Sequence, residues 1–286
     1  MSATVQQRLD DPTVSVGAPG VEFSQHDLVS TTLAAASAHL LHSAAADQCH
    51  SAVLRSSGGV GAGSWMQLPS LPVHRLPNPH MQISLRSRLF LDLPCCVGTC
   101  SHTKKDGTKC GHPLDSKGAH ARSCPSGGWV VRRHNAVVSV LAQWSIEECG
   151  CNTFQEQVVP NASEDHVVSR MDLVIYSPYV AGGLHVDVTI VAPTSVAALG
   201  HGSAVHDGAA AQVAAARKVS KYPGCTVHPF PLEDMGRLGE AAIRLAKMIA
   251  PRDGPSRRSA ALSRLYQSLG AAVQRANAAA ILAAAA

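Results

Sequence analysis

Five of the nine cysteines in this 286-residue chain fall between residues 95 and 124, interleaved with His102, His112 and His120. The segment is rich in Gly, Lys, Asp and Ser and has few apolar residues. It cannot bury enough surface to order itself, and a structural metal is the usual substitute for a core. An odd number of cysteines argues against a complete disulfide framework. Zinc takes four thiolate or imidazole ligands in a tetrahedron. His120 and Cys124, separated by three residues and preceded by Gly118, make the closing pair. Cys100 and Cys110 bracket a loop with Asp106-Gly107 near its tip, which can fold back as a hairpin and bring both thiols together. Cys96 with Cys100 is the rival opening pair. The expected ligand set is Cys100, Cys110, His120 and Cys124 around a structural Zn²⁺, and four protein ligands leave no position for a catalytic water.

Composition bounds the rest. The chain is 45% hydrophobic but only 4% aromatic, so its core must be built mostly from Val, Leu, Ile and Ala. No apolar run reaches the roughly eighteen residues of a membrane-spanning helix. The start, MSATVQQRLDDPT, lacks the basic end and apolar stretch of a signal peptide. The expectation is an intracellular protein with no membrane partner. A net charge of +4 is too small to name an anionic partner by itself.

Pattern divides the chain into five segments. Residues 1–55 read as a helical or partly disordered N-terminal segment, and 56–94 as a Gly-, Ser- and Pro-rich linker and packing arm with a short helix from Met81. The zinc-binding module spans 95–131. Residues 132–250 read as an α/β domain: a helix ending near Gly150, strands over 153–160, 170–178 and 183–193, a helix over 208–222, a strand over 226–230 and a helix over 235–250. A C-terminal helix covers 251–286, and its end, ANAAAILAAAA, reads as low in information and prone to fray. The expected architecture is a small mixed sheet flanked by helices.

Two acids stand where an acid is costly. Asp172 opens the apolar strand MDLVIY, and Asp187 sits in the middle of HVDVTIV. Either they lie on a solvated face or they converge on a site. Neighbouring strands joined by the turn SPYVAGG would let both reach one sheet edge and share a divalent cation through oxygen, with Glu156 on the preceding strand as a third donor. Lys218 and Lys221, about one helical turn apart beside Tyr222, are placed to stabilise negative charge developing on phosphorus.

These residues carry a family resemblance. GSW (63–65) with Pro69, LRSRLFLDLP (85–94), the C-x9-C-G-x2-LD-x2-G-x-H-A-x2-C block from Cys100 to Cys124, GG-x4-RHN (Gly127 to Asn135), and the E-x2-V, RMD, DVT and K-x2-KY segments occur in this order. From about Gly61 to Ala250 the chain resembles the C-terminal region of reverse-transcriptase polyproteins of non-LTR retrotransposons that carry a restriction-like endonuclease. The resemblance implies a PD-(D/E)xK-type, restriction-endonuclease-like core after a zinc knuckle. It implies Mg²⁺-dependent cleavage of target DNA, with element RNA as a further partner and a nuclear location.

On that resemblance Asp172 and Asp187 are the Mg²⁺ ligands, Glu156 is an accessory acid, and Lys218 or Lys221 is the catalytic lysine. Arg132, Arg133 and His134 are expected to contact phosphate. Two positions depart from the pattern: Met171 stands where the family has Pro, and Thr189 stands where simpler nucleases of the fold place Lys. The lysine must therefore come from the later helix. No reverse-transcriptase signature is read in this chain, because Asp10-Asp11 lies in a polar segment rather than an apolar strand. Two other readings compete with the nuclease. One is a non-catalytic, zinc-stabilised nucleic-acid-binding module using Lys104, Lys105, Lys109, Lys117 and Arg122; the other is an inactive remnant of a retroelement.

Overall fold

The structure is a computed structural model and describes residues 25–159 and 169–286. Asp10-Asp11 and the end of the expected 153–160 strand lie outside the described residues. Two compact units are present, Met1–Ala46 and Asp47–Ala286. In the first, helix α1 spans Gln25–Ser43.

The second unit begins with α2 (Gln48–Ser57), capped by the Asp47 carboxylate, which accepts from the Cys49 and His50 amides at 2.8 and 3.0 Å. The proline-rich arm that follows is irregular apart from short 3₁₀ turns, and it leads into α3 (Asn78–Arg88). Beyond the cysteine-rich segment and the short α4 (Ala119–Ser123) comes α5 (Trp129–Glu147). The sheet is built from β1 (Asn152–Val159), β2 (Ser169–Tyr176), β3 (Gly183–Val191) and β4 (Val227–Glu233), in that spatial order. The first two pairings are antiparallel and β3–β4 is parallel. Short helix α6 (Val196–Gly200) and α7 (Ala209–Lys221) make the crossover that a parallel pair requires. Helices α8 (Glu240–Ile249) and α9 (Pro255–Ala285) complete the chain. The fold is mixed α/β, a four-stranded sheet with flanking helices.

The alternation seen in the sequence of β3 reflects its two faces. Leu184, Val186 and Val188 join Leu173 and Ile175 of β2 in the main core, with Val137, Val138, Leu141 and Trp144 of α5 and Leu265, Leu269 and Val273 of α9. Full burial of such side chains contributes about 1.5–3 kcal/mol each. A second cluster unites Met171 and Val174 with Tyr222 and Val227. Strand β4 runs past its expected end at 230, through Pro229 and Pro231, which an edge strand tolerates because its outer N–H positions need no partner. Helix α8 starts later than expected because Gly236 adopts φ +105 and Gly239 precedes the first helical residue.

The alanine-rich end of α9 does not fray. Ala278, Ile281 and Ala284 are buried among Ile83, Leu93, Cys96, Cys100 and Ala121. The Ser101 amide donates to the Ala284 carbonyl at 2.8 Å, and His102 Nε2 lies 2.9 Å from the Ala280 carbonyl. Small side chains let the helix backbone approach the cysteine-rich segment closely enough for these bonds. No helix among the described residues is long and apolar enough to cross a membrane.

Candidate metal centre and acidic site

The loop between Cys100 and Cys110 is a hairpin. Bridges pair Thr99 with Pro113 and Thr103 with Lys109, and the Cys110 amide donates to the His102 carbonyl at 2.7 Å. At its tip Gly107 takes φ +84, and the Asp106 carboxylate accepts from the Thr108 amide and hydroxyl. The closing pair is set by α4. Asp115 accepts from the amides of Ala119 and His120, at 2.9 and 2.8 Å, and so fixes the turn that carries the histidine. Gly118 enters that turn at φ +66, where a Cβ would lie 2.8 Å from Leu93.

Together these elements bring Cys100, Cys110, His120 and Cys124 within 4.8 Å of one another. The sulfurs of Cys124 stand 3.9 Å from Cys100 and 3.7 Å from Cys110, and Cys110 Sγ lies 3.5 Å from His120 Nε2. A tetrahedral zinc with Zn–S of about 2.3 Å and Zn–N of about 2.0–2.1 Å puts ligand atoms roughly 3.5–3.8 Å apart. The donor set fits zinc, and among the described residues it is the one cluster of three or more His, Cys, Asp or Glu side chains suited to a metal. Burial holds His120 below the usual imidazole range, which keeps the ring neutral and its lone pair available. Cys96 is buried beside this centre but is not one of the four.

Asp172 and Asp187 lie where β2 and β3 part. Their ladder ends at Leu173↔Val186, so Asp172 and Asp187 occupy the next rung. Here the Asp172 carboxylate replaces a backbone acceptor: its Oδ2 takes the Val188 amide at 2.7 Å. His134, from the first turns of α5, places Nε2 3.2 Å from the same oxygen and 3.3 Å from the Val188 carbonyl. Its Nδ1 faces Asn135 Oδ1 at 3.3 Å. Both ring nitrogens thus meet oxygens, an arrangement suited to the imidazolium, and the Asp172 hydrogen bond holds His134 above the usual imidazole range. Burial pushes the Asp172 carboxyl up, but the bond to His134 and its charge outweigh burial and leave it below the usual carboxylate range.

Asp187 is 5% exposed and receives Lys218 Nζ at 2.6 Å. Tyr222 is buried beside this pair, and burial together with the Asp187 charge pushes its phenol up to about 12. Lys221, one turn on, instead lies 4.8 Å from the centroid of the Tyr222 ring. Glu156 falls opposite Asp172 in the β1–β2 register, between Gln155↔Leu173 and Gln157↔Met171. It takes φ +53, a left-handed conformation that costs a non-glycine residue about 1–3 kcal/mol, and its side chain is exposed.

The basic start of α5 is split. Arg132 is exposed with its guanidinium 4.6 Å from the Trp129 ring centroid. Arg133 corrects the expectation of a phosphate contact: it is buried, with Nη1 2.7 Å from Asn277 Oδ1 and 3.1 Å from the Arg122 carbonyl. Arg122 is likewise internal, 3.2 Å from Asp234 Oδ2. Lys117 pairs with Asp92, while Lys104, Lys105 and Lys109 remain exposed on the hairpin. Sequence reasoning missed the contact of His134 with Asp172 and the buried role of Asp234. The RHN segment drew attention to His134, but nothing local in the sequence indicates its partner. No family model matches the chain, and no curated protein does either.

Proposed function

We propose that this chain is the zinc-knuckle and restriction-like endonuclease region of a non-LTR retrotransposon polyprotein, cutting or nicking DNA with Mg²⁺. The observation that carries the reading is the register at the β2–β3 fork, which sets Asp172 and Asp187 on facing positions just past the last paired rung, with Lys218 Nζ 2.6 Å from Asp187. The donor chemistry suits a hard cation: both acids offer oxygen, and Asp172 Oδ1 accepts no hydrogen bond among the described residues. A divalent cation held by the two aspartates would polarise a phosphate oxygen and lower the pKa of a bound water. Lys218, whose Nζ lies 2.6 Å from Asp187 Oδ1, then offers its ammonium to charge developing on phosphorus. Glu156 stands at the same level of the sheet as an accessory acid.

The zinc centre has a different task. With four protein ligands it orders the hairpin that presents Lys104, Lys105 and Lys109 to a nucleic-acid backbone, DNA or element RNA. Those three exposed lysines favour the second reading, a binding module that cuts nothing. Zinc content by elemental analysis and nicking of supercoiled plasmid in Mg²⁺ separate the two. Nicking that disappears in Asp172→Ala and Asp187→Ala supports the nuclease. Salt-sensitive binding with no cleavage supports the binding module, and neither activity marks an inert remnant. A nuclear location belongs to the same proposal.

A further inference from the structure

We infer that His134 is a positioning residue for Asp172, clamping one oxygen of that carboxylate so that the other is presented to a divalent cation. The inference rests on the nuclease reading above. Asp172 Oδ2 takes two donors, the Val188 amide at 2.7 Å and His134 Nε2 at 3.2 Å. Either alone would leave the carboxylate free to turn about its Cβ–Cγ bond; two donors from different elements fix its plane. The same imidazole nitrogen lies 3.3 Å from the Val188 carbonyl, so His134 touches both strands where their ladder stops at Leu173↔Val186. Asp172 Oδ1 is left without a hydrogen bond among the described residues, and the side chain is 17% exposed.

The ring is itself held. It projects from α5, whose Val137, Val138 and Leu141 are anchored in the main core, and Asn135 faces its other nitrogen. Partners of this kind, which orient a metal ligand without touching the metal, change metal affinity by about 10–100-fold when removed. The alternative is that His134 is only a resident counter-charge, which a cation would have to displace. That role predicts the opposite sign, because deleting a competitor tightens cation binding.

The test uses the full, zinc-loaded chain and Mn²⁺ alone as probe, with free Mn²⁺ read by electron paramagnetic resonance. Wild type, Asp172→Asn, His134→Ala and His134→Gln are compared, with thermal melting to confirm that each is folded. Plasmid nicking against Mg²⁺ concentration is measured in parallel. Expected are Mn²⁺ binding that depends on Asp172, a Kd raised about 10–100-fold in His134→Ala, and partial recovery in His134→Gln, which keeps an N–H donor. The nicking rate at saturating Mg²⁺ should fall less than the apparent Mg²⁺ affinity does. Asp172-dependent binding with an unchanged or lower Kd in His134→Ala overturns the positioning role and leaves the nuclease reading standing. If His134→Ala does not fold, an unchanged or lower Kd in His134→Gln together with an unmoved Mg²⁺ half-activation overturns it equally. A wild-type chain with neither Asp172-dependent Mn²⁺ binding nor nicking overturns the reading and the inference with it.

Discussion

Arg122 and Asp234 form an ion pair at 3.2 Å with side chains 4% and 2% exposed, joining the helix that carries His120 to the end of β4. Arg122 also donates to the Lys117 carbonyl, and the Asp234 carbonyl accepts from Asn277 at 2.7 Å. With Arg133 bonded to Asn277, buried polar groups from four parts of the chain are linked into one network. Removing one partner of such a pair strands a buried charge, at a cost of about 3–5 kcal/mol. Arg122→Ala should therefore lower stability by that amount in urea unfolding. The double variant Arg122→Met with Asp234→Leu should be markedly less damaging than Arg122→Ala, because both charges go together. Equal losses in the two variants would show that the pair is not the source.

The zinc centre should hold more than its own hairpin. Metal binding in small modules is folding free energy, on the order of 10 kcal/mol in isolated zinc fingers. Here the end of α9 is bonded to Ser101 and His102, next to ligand Cys100. One zinc per chain is expected, lost in Cys124→Ser and His120→Ala. Chelation should deprotect amides over 278–284 as well as 99–124 in hydrogen exchange, while those of β2 and β3 stay protected. Protection of 278–284 that survives full zinc removal would contradict this coupling.

Much of this architecture was legible because short-range pattern specifies it. The alternation of Val186 and Val188 against Asp187, and the apolar face of α5 through Val137, Val138 and Leu141, needed no tertiary information. The ligand set of the metal centre was legible for the same reason, since thiols and imidazole at these spacings have few other uses. Arg122 and Arg133 were not legible. A buried arginine looks like a surface one until its acid arrives, and Asp234 lies more than a hundred residues further along the chain. The alanine tail misled in the opposite direction: each Ala buries little area, yet small size is what allows Ala280 and Ala284 to come within bonding distance of the hairpin. His134 was singled out with its basic neighbours, but the β2–β3 fork that gives it a partner exists only in three dimensions.

Asp207 links α2 to the segment after β4, accepting from Arg55 Nη1 at 2.8 Å and Arg237 Nη2 at 2.6 Å. Partial burial pushes its carboxyl up, but the hydrogen bonds and charges of the two arginines outweigh this and leave it below the usual range. A folded-state pKa below the unfolded one adds stability that is present above about pH 3.9 and is lost as pH falls through the folded value. The side chain is 58% exposed, so screening limits the gain to about 0.2–1 kcal/mol. Asp207→Asn should melt lower than wild type at pH 7, and the gap should close as pH falls through the lowered pKa of the folded Asp207, and narrow in high salt. A gap that is constant with pH would mean the loss comes from packing rather than charge.

Lys218 and Lys221 share a helix and a charge, and the proposed chemistry distinguishes them. Lys218 Nζ stands 2.6 Å from Asp187, whereas Lys221 lies over the Tyr222 ring. If the lysine at the fork stabilises charge on phosphorus, Lys218→Met should reduce plasmid nicking by about 10²–10³-fold, the range for removing one preorganised electrostatic group. Lys221→Met should change it only a few-fold, through weaker DNA binding that is recovered at low salt. Lys218→Met also leaves Asp187 buried without its cation, so its melting temperature must be measured alongside. Lys218→Arg keeps the charge and separates a catalytic loss from a folding one. A full rate in Lys218→Met with a lost rate in Lys221→Met would move the catalytic role one turn along the helix and away from the fork.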